Sequence, residues 1–263
     1  MKADWHVHTL WCDGKVSPAE MAAAAFRQGL DALGFSGHSR TFFDESWCMS
    51  KEGTEAYRRE VSALREAYAG RLEILCGVEQ DFFSLEPTGG WDYVIGSVHY
   101  LKPGGGYLPV DESPELLRAG ADKYFGGDVY ALAEAYFETV ARVPEIPGCT
   151  VIGHFDLVAK FNERTPLFDE THPRYIAAWQ AAAEKLLASG LPFELNTGAL
   201  ARGYRSVPYP APPMLRYLAE RGARFLLSGD SHSPDALCFA FDIWRREGEA
   251  LGCRFIDRPD GTR

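Results

Sequence analysis

The chain has 263 residues, of which 46% are hydrophobic and 24% charged, as expected for a globular protein with a sizeable core. Its formal net charge of −10 disfavours nucleic-acid binding, because phosphate backbones attract clustered Lys and Arg. The chain does not begin with a basic segment and an apolar run, and no apolar stretch reaches the length of a membrane span. The six cysteines form no Cys-x-x-Cys pair. We therefore expect a cytoplasmic protein with free thiols, no membrane contact and no nucleic-acid partner.

Seven short apolar runs are predicted to be strands, and helical patterns separate most of them. The runs cover residues 3–7, 32–36, 72–78, 93–98, 150–154, 191–196 and 224–229. The first helix has a clear start, since Ser17 is an N-cap, Pro18 lies in the first turn and Glu20 completes a capping box. Gly29 ends this helix. Further helices are predicted over 53–69, 128–142, 173–189, 212–221 and 235–250.

The order of these elements indicates the fold class. Strand and helix alternate about seven times, which is typical of a parallel sheet. So many units favour an α/β fold, a distorted (β/α)7 barrel, in a single domain that spans residues 1–263. A doubly wound open sheet is the competing architecture. The glycine- and proline-rich segment 101–127 interrupts the alternation and predicts a long loop, a candidate lid.

Most of the histidines lie at strand ends. Six of the seven end a predicted strand or follow it closely: His6, His8, His38, His99, His154 and His232. Glu79 and Asp230 follow strands in the same way, whereas His172 lies beside Pro173 at a helix start and is predicted not to be a ligand. His6 and His8 are two residues apart, so they would face one side of a strand. Because the carboxyl ends of barrel strands open onto one face, we expect these side chains to converge there.

Imidazole and carboxylate groups are the usual ligands of zinc, iron and manganese. Any one of these histidines has an ordinary alternative as a hydrogen-bonded core residue, but the whole set favours metal binding. The donors exceed what one tetrahedral ion needs, since six histidines are joined by Asp13, Glu79 and Asp230. The sequence therefore predicts a cofactor of two or three divalent metal ions: Zn, Fe or Mn.

Seven motifs occur in a fixed order between residue 4 and about residue 240: HVHT, GHS, GVEQDF, YVIGSVHY, GHFDL, ELNTG and GDSH. This succession resembles the PHP (polymerase and histidinol phosphatase) family. YVIGSVHY, GHFDL and NTG followed by PYPAP resemble its histidinol-phosphatase branch in particular. The resemblance implies a distorted (β/α)7 barrel with a trinuclear metal centre. It also implies three ligand sets: His6, His8 and Asp230 for one ion, Glu79 bridging to a second ion on His99 and His154, and Asp13, His38 and His232 for the third.

Two positions depart from the family pattern. Relatives often have T-D-H where this chain has Ser36, Gly37 and His38, so a carboxylate beside the third ion is missing. Many relatives also have a histidine in the loop after the His-x-His strand, where this chain reads CDGK and offers Asp13 instead. Both departures concern the third ion, which is expected to be the weakest of the three.

The resemblance implies a metal-dependent phosphatase that hydrolyses L-histidinol phosphate to L-histidinol and phosphate, a step of histidine biosynthesis. Glu79, His154 and Asp230 are the expected catalytic residues, with Asp230 a candidate to deliver a proton to the leaving oxygen. The substrate phosphate also needs fixed positive charge, because the metal ligands are largely anionic. The candidates for that charge are Lys160, Arg202 and Arg205.

Two alternatives remain open at this point. A PHP phosphoesterase acting on nucleotides or on another small phosphomonoester would use the same site with a different substrate. A noncatalytic PHP module that binds a partner would instead have lost metal ligands, and the ligand positions of this chain are occupied by suitable residues. The expected partner is therefore a small-molecule phosphomonoester, and no sequence feature indicates an oligomeric state.

Overall fold

The computed structural model describes residues 1–260 as an α/β fold. Its strands are β1 (Ala3–Asp4), β2 (Ala32–Phe35), β3 (Glu73–Cys76), β4 (Val78–Asp81), β5 (Val94–Ser97), β6 (Tyr100–Leu101), β7 (Leu108–Pro109), β8 (Val151–Ile152), β9 (Phe193–Asn196), β10 (Arg224–Ser228) and β11 (Arg254–Ile256). Its α-helices are α1 (Pro18–Arg27), α2 (Lys51–Ala67), α3 (Pro114–Phe125), α4 (Val129–Val140), α5 (Pro173–Ser189), α6 (Gly198–Ala201), α7 (Pro212–Glu220) and α8 (Phe241–Ala250).

Two parallel sheets form the centre of the fold. One has the strand order β1-β2-β3, and the other has the order β11-β10-β9-β8-β5-β4. All pairs in both sheets are parallel, as the alternation of strands and helices predicts. A separate antiparallel hairpin of β6 and β7 follows β5. The prediction of an α/β domain with a mainly parallel sheet is confirmed.

The two sheets are connected at both sides. A single parallel bridge joins His38, after β2, to Glu79 in β4, and another joins Val7, after β1, to Ser231, after β10. Only Gly77 separates β3 from β4, so these two segments continue one another along the chain. The order β1, β2, β3/β4, β5, β8, β9 and β10 therefore returns to β1, which gives seven strand positions, and β11 extends β10 outside this ring.

A small apolar cluster holds the two sheets together. It joins side chains in or next to strands of both sheets: Ala3, Trp5, Ala32, Leu75, Tyr93, Ile95, Val151 and Leu226. The buried Tyr93 hydroxyl donates to the carbonyls of Trp5 and Phe35, at 2.6 and 3.0 Å. A much larger cluster lines the helix-covered side of the sheets. Because the small cluster draws on both sheets, its burial fixes where their carboxyl ends lie relative to one another.

The predicted helix starts and stops are largely confirmed. Ser17 and Glu20 form the predicted capping box, with the Glu20 amide 3.2 Å from Ser17 Oγ and the Ser17 amide 2.9 Å from Glu20 Oε2. The helices predicted over 53–69, 128–142, 173–189 and 212–221 correspond to α2, α4, α5 and α7. His172 is the N-cap of α5, where its Nδ1 accepts from the amide of Arg174 at 3.2 Å, as expected from its predicted position at a helix start.

The prediction of a long loop over 101–127 is wrong. The segment contains β7 and the helix α3, which has Ser113 as N-cap and Pro114 in its first turn. Gly120 suggested a loop, but it serves close packing: a Cβ at this position would lie 2.4 Å from Leu108 of the hairpin. Packing between α3 and the hairpin therefore orders a segment whose composition resembles that of a loop.

The helix predicted over 235–250 is too long. α8 begins only at Phe241, because Cys238 and Ala240 have positive φ values of 54° and 57° that interrupt a helix. The strand β11 was not predicted, since its three residues carry only a weak pattern. All six cysteines are free thiols, as predicted. Among the helices of residues 1–260, none is both long and apolar enough to cross a membrane.

Candidate metal centre and active site

The parallel strands bring the predicted histidines to one end of the two sheets. They lie within a few residues after strand ends: His6 and His8 after β1, His38 after β2, His99 after β5, His154 after β8 and His232 after β10. The first five are buried, and His232 is partly exposed. Glu79 differs from its prediction, because it lies within β4 rather than after a strand. Parallel strand ends open onto one face, so these residues share one site.

Glu79 is at the centre of this site. Its Oε1 lies 2.9 Å from His154 Nε2 and 3.4 Å from His99 Nε2. Its Oε2 lies 3.1 Å from His6 Nε2 and 2.9 Å from His38 Nδ1. The two oxygens therefore face different sets of imidazoles, which is the arrangement that a carboxylate bridging two ions needs.

Asp230 faces the histidines on the β1 side of the site. Its Oδ1 lies 3.2 Å from His8 Nε2, 3.9 Å from His6 Nε2 and 3.5 Å from His232 Nδ1. Its Oδ2 accepts from Arg202 Nη2 at 2.8 Å. The aspartate thus contributes one oxygen to the histidine cluster and the other to a guanidinium.

Asp13 lies next to the residues predicted for the third ion. Its two oxygens approach His232 Nε2 to 3.0 Å and His38 Nε2 to 3.5 Å. Asp13 lies within a tight turn from Thr9 to Gly14. The turn depends on Gly14, whose amide donates to the Thr9 carbonyl at 3.0 Å and where a Cβ would lie 2.4 Å from the Thr9 nitrogen. The loop that departs from the family pattern therefore places a carboxylate beside both histidines.

The donor atoms fit divalent metal ions. His6 Nε2, His8 Nε2 and Glu79 Oε2 are buried and have polar neighbours, but none of them makes a hydrogen bond. This costly state would be relieved by a bound cation. Three overlapping groups have donor atoms within 4.8 Å of one another: His8, Asp13, His38 and His232; His6, His8 and Glu79; and His38, Glu79 and His99. Imidazole nitrogen and carboxylate oxygen are what zinc, iron and manganese bind.

The charges in the cluster keep its carboxylates ionised. Burial alone would raise the pKa of Glu79, but the imidazoles of His6 and His38 outweigh burial and hold this pKa well below its usual range. Burial likewise opposes ionisation of Asp230, and Arg202 with His6 holds its pKa low. For His8, burial and the neighbouring imidazoles lower the pKa to about 3. His8 is therefore neutral at physiological pH and has a free lone pair for a metal ion.

The sequence analysis missed two buried carboxylates behind the ligands. Glu194 Oε1 lies 2.7 Å from His6 Nδ1, and Asp81 Oδ2 lies 3.3 Å from His99 Nδ1. Both are 1% exposed. A signal was present in the sequence, because Glu194 is the one acidic residue of the strand FELN and Asp81 is a second acidic residue in the strand VEQD that carries Glu79.

A cavity of about 480 Å³ opens above the metal-binding cluster. Its wall contains Asp44, Trp47, Tyr100, Asp111, Glu112, Lys160, Arg202 and Tyr204 in addition to the predicted ligands. Lys160 Nζ donates to the carbonyl and to Oδ2 of Asp111, at 2.9 and 3.0 Å. Lys160 and Arg202, two of the predicted phosphate-binding residues, therefore place positive charge in the cavity wall, where a bound anion could contact it.

Arg205 does not line this cavity, contrary to the prediction that it contacts phosphate. Its side chain is 1% exposed, and Nη1 donates to Asp156 Oδ2 at 2.9 Å. Asp156 also accepts from the amide of Ala211 at 3.3 Å, at the N-cap of α7. A guanidinium buried in this way connects α7 with the segment after β8 instead of facing the metal ligands.

A family model described as the PHP domain matches residues 4–198. The chain belongs to the PHP family. It is 34% identical over 267 residues to a Deinococcus radiodurans protein named "Probable histidinol-phosphatase", with 96% of this chain and 95% of that protein covered. The histidinol-phosphatase of Bacillus subtilis is 24% identical, with coverage of 92% and 98%. The resemblance seen in the sequence motifs is thereby confirmed.

The fold of this PHP protein also matches a solved structure. The histidinol phosphate phosphatase of Lactococcus lactis, crystallised with zinc, L-histidinol and phosphate, has a TM-score of 0.73 at 18% identity. The match covers 97% of this chain and 95% of that one. At this low identity the likeness concerns the fold, and the site must be judged on its own residues.

Proposed function

We propose that this PHP protein is a histidinol-phosphatase that hydrolyses L-histidinol phosphate to L-histidinol and phosphate in histidine biosynthesis. We also propose that residues 1–263 form a single phosphatase domain. The observation that carries the proposal is the position of Glu79, whose two oxygens face separate sets of histidines beneath a cavity that also contains Lys160 and Arg202. The relatives bearing this activity in their names support it, since they align over nearly the whole chain.

The metal centre would hold two or three divalent ions, Zn, Fe or Mn. His6, His8 and Asp230 would bind one ion, His99 and His154 the second, with Glu79 between them, and Asp13, His38 and His232 the third. When bound, such ions neutralise the charge of a phosphate group and lower the pKa of water.

The remaining chemistry belongs to the chain itself. Lys160 Nζ and the Arg202 guanidinium would bind phosphate oxygens with charge-assisted hydrogen bonds and so orient the phosphorus over Glu79. Asp230 is ionised because its pKa is held low, so it must take up a proton before it can give one. We expect it to accept a proton from the attacking water and to pass it to the leaving alkoxide oxygen.

The charge of the cavity wall favours a substrate that has a cation beside its phosphate. Asp44, Asp111 and Glu112 all line the cavity in addition to the carboxylates of the metal cluster. L-Histidinol phosphate carries an amine that is protonated at neutral pH. Nucleotides offer no such group on the sugar or phosphate, so they match these carboxylates less well.

The test is turnover of a substrate panel by metal-loaded protein. We expect phosphate release from L-histidinol phosphate to exceed that from nucleoside monophosphates and from an aryl phosphate that lacks an amine, measured as kcat/KM. The Glu79→Gln variant is the control for a contaminating phosphatase, because loss of the bridging charge should remove activity on every substrate. Nucleotides turned over as well as or better than L-histidinol phosphate would refute the leading substrate and favour a PHP phosphoesterase of broader class.

Location and macromolecular partners belong to the same proposal. We place the enzyme in the cytoplasm, an inference supported by six free thiols and by a relative named histidinol-phosphatase. A small-molecule substrate, rather than nucleic acid, suits a cavity of about 480 Å³ in a chain of net charge −10.

A further inference from the structure

Two of the histidines next to Glu79 are held from behind by buried carboxylates. His6 Nδ1 and Glu194 Oε1 are 2.7 Å apart, and His99 Nδ1 and Asp81 Oδ2 are 3.3 Å apart. Neither carboxylate lines the cavity. They therefore have no direct access to a substrate, and any influence on the reaction must act through the imidazoles.

Glu194 makes contacts around two different ligand positions. It lies in β9, and besides His6 it contacts the backbone amide of His154, which donates to Oε2 at 3.1 Å. The side-chain amide of Asn196 donates to the same oxygen at 3.1 Å. From its position in β9, Glu194 thus fixes both the His6 ring and the backbone of His154.

Asp81 fixes His99 in a similar way. It lies at the end of β4, the strand that carries Glu79, and its Oδ2 accepts from the His99 backbone amide at 3.0 Å. Its Oδ1 accepts from the amide of Phe83 at 2.8 Å. The carboxylate therefore holds both the backbone and the ring of one ligand at a set position beside Glu79.

The orientation of the two rings follows from these contacts. A carboxylate on Nδ1 stabilises the tautomer with a proton on Nδ1, which leaves the lone pair on Nε2. In both rings Nε2 is the nitrogen that faces Glu79, at 3.1 Å from Oε2 for His6 and 3.4 Å from Oε1 for His99. Each buried carboxylate thus leaves the Nε2 lone pair of one imidazole available to a metal ion on one side of Glu79.

No carboxylate outside the ligand set supports the other ligand histidines of the described chain, and His232 Nδ1 instead lies 2.9 Å from the carbonyl oxygen of Asp230. His154 Nδ1 is buried without a hydrogen bond, and His8 Nδ1 lies 3.5 Å from the thiol of Cys12. His38 and His232 contact Asp13, which is itself a candidate ligand with 35% of its side chain exposed. On each side of Glu79, one histidine is therefore paired with a carboxylate outside the ligand set: His6 with Glu194 and His99 with Asp81.

We propose that Glu194 and Asp81 are positioning residues that set the affinity of two different metal ions, Glu194 for the ion bound by His6 and Asp81 for the ion bound by His99. The inference rests on the proposed metal centre. Loss of a carboxylate behind a metal-binding histidine typically weakens metal binding by about 10- to 100-fold. Each substitution removes the negative charge behind one imidazole but keeps a side-chain oxygen that can still accept from the backbone amide of His154 or His99. It should therefore weaken the binding of one ion and leave the binding of the other unchanged.

The experiment is a zinc titration of the metal-free protein in competition with a chromophoric chelator. We expect Glu194→Gln and Asp81→Asn each to move one class of sites to an affinity weaker by about 10- to 100-fold, with the remaining sites as in the parent. Glu194→Asp keeps the charge on a shorter side chain and should regain part of the lost affinity. Glu145→Gln is the matched control, because Glu145 pairs with Arg142 on the surface and should not alter zinc binding.

Several results would overturn the inference. Parent-like zinc affinities in both Glu194→Gln and Asp81→Asn would do so, as would an equal weakening of all sites. A variant whose metal-free form has lost the parent circular dichroism would indicate a structural role and count against positioning. The titration uses no substrate, so a parent protein that binds zinc but fails to hydrolyse L-histidinol phosphate would refute the proposed function and leave this inference standing.

Discussion

Glu79 is a buried carboxylate whose desolvation cost is offset by the neighbouring histidines. A buried carboxylate is destabilising unless it is paired, and here His6, His38, His99 and His154 all approach its two oxygens within 3.4 Å. The same pairing lowers its pKa and keeps it ionised. Glu79 is thus tolerated in the interior only when the strands that carry these histidines are in place.

Lys160 allows the phosphate site to be tested at a single residue. Its ammonium lies in the cavity wall against Asp111 and contacts no predicted metal ligand, whereas Arg202 contacts both Asp230 and His232. We expect Lys160→Met to raise KM for the phosphomonoester by about 10- to 100-fold, because a charge-assisted hydrogen bond contributes about 1.5–3 kcal/mol. The zinc content should not change.

Steady-state kinetics with metal analysis of the same samples measures this effect. Lys123→Met, on the exposed side of α3, is the control for loss of a lysine outside the cavity. An unchanged KM in Lys160→Met would exclude Lys160 from the phosphate site.

At the scale of elements, strand ends were the predictable part of the site. A histidine that closes an apolar run is visible in the sequence, and parallel strands send all such residues to one face, so the amino-acid sequence alone was enough to predict that these histidines lie close together. Contacts between distant segments were not predictable in this way. Arg205 follows a strand end as Arg202 does, but only the fold reveals that it is paired with Asp156 inside the protein. Gly120 likewise suggests a loop until Leu108 packs against it.

The Asp156–Arg205 pair connects the segment after β8 with the approach to α7, and it should be important for stability. Both side chains are at most 1% exposed, so Asp156→Asn leaves a buried guanidinium without its counter-charge. We expect a loss of about 3–5 kcal/mol in the free energy of unfolding. Glu145→Gln breaks a pair whose members are both 57% exposed and should cost at most about 1 kcal/mol.

Denaturant unfolding of both variants with excess metal provides the comparison. Equal, small losses in the two variants would show that the buried pair does not stabilise the link between β8 and α7.

For the whole molecule, metal binding and folding should be linked, because the ligands come from β1, β2, β4, β5, β8 and β10. A ligand that binds only the folded state stabilises it by about 2.7 kcal/mol when its free concentration is 100 times Kd. For a domain of this size that corresponds to a rise of roughly 5–10 °C in melting temperature. Chelation should therefore lower the melting temperature by a similar amount.

The size of this decrease should depend on pH. In the metal-free chain burial lowers the pKa of His6 and His99, but the surrounding carboxylates outweigh burial and hold both well above the usual value. A raised histidine pKa stabilises the fold fully below the unfolded value of about 6.5, and that contribution is lost as the pH rises through the folded pKa. The lowered pKa of Glu79 acts only near and below its unfolded value of about 4.3, so it adds no change at neutral pH.

At low pH, protons on His6 and His99 thus neutralise part of the carboxylate charge that metal ions would neutralise. At high pH these protons are lost. We expect the difference in melting temperature between metal-loaded and chelated protein to widen from pH 6 to pH 9, measured by calorimetry at constant free metal. The Glu79→Gln variant should show a smaller difference at every pH, because it lacks the charge that both protons and metal ions neutralise. A difference that narrows with rising pH would mean that the histidine cluster is not where metal binding and folding are coupled.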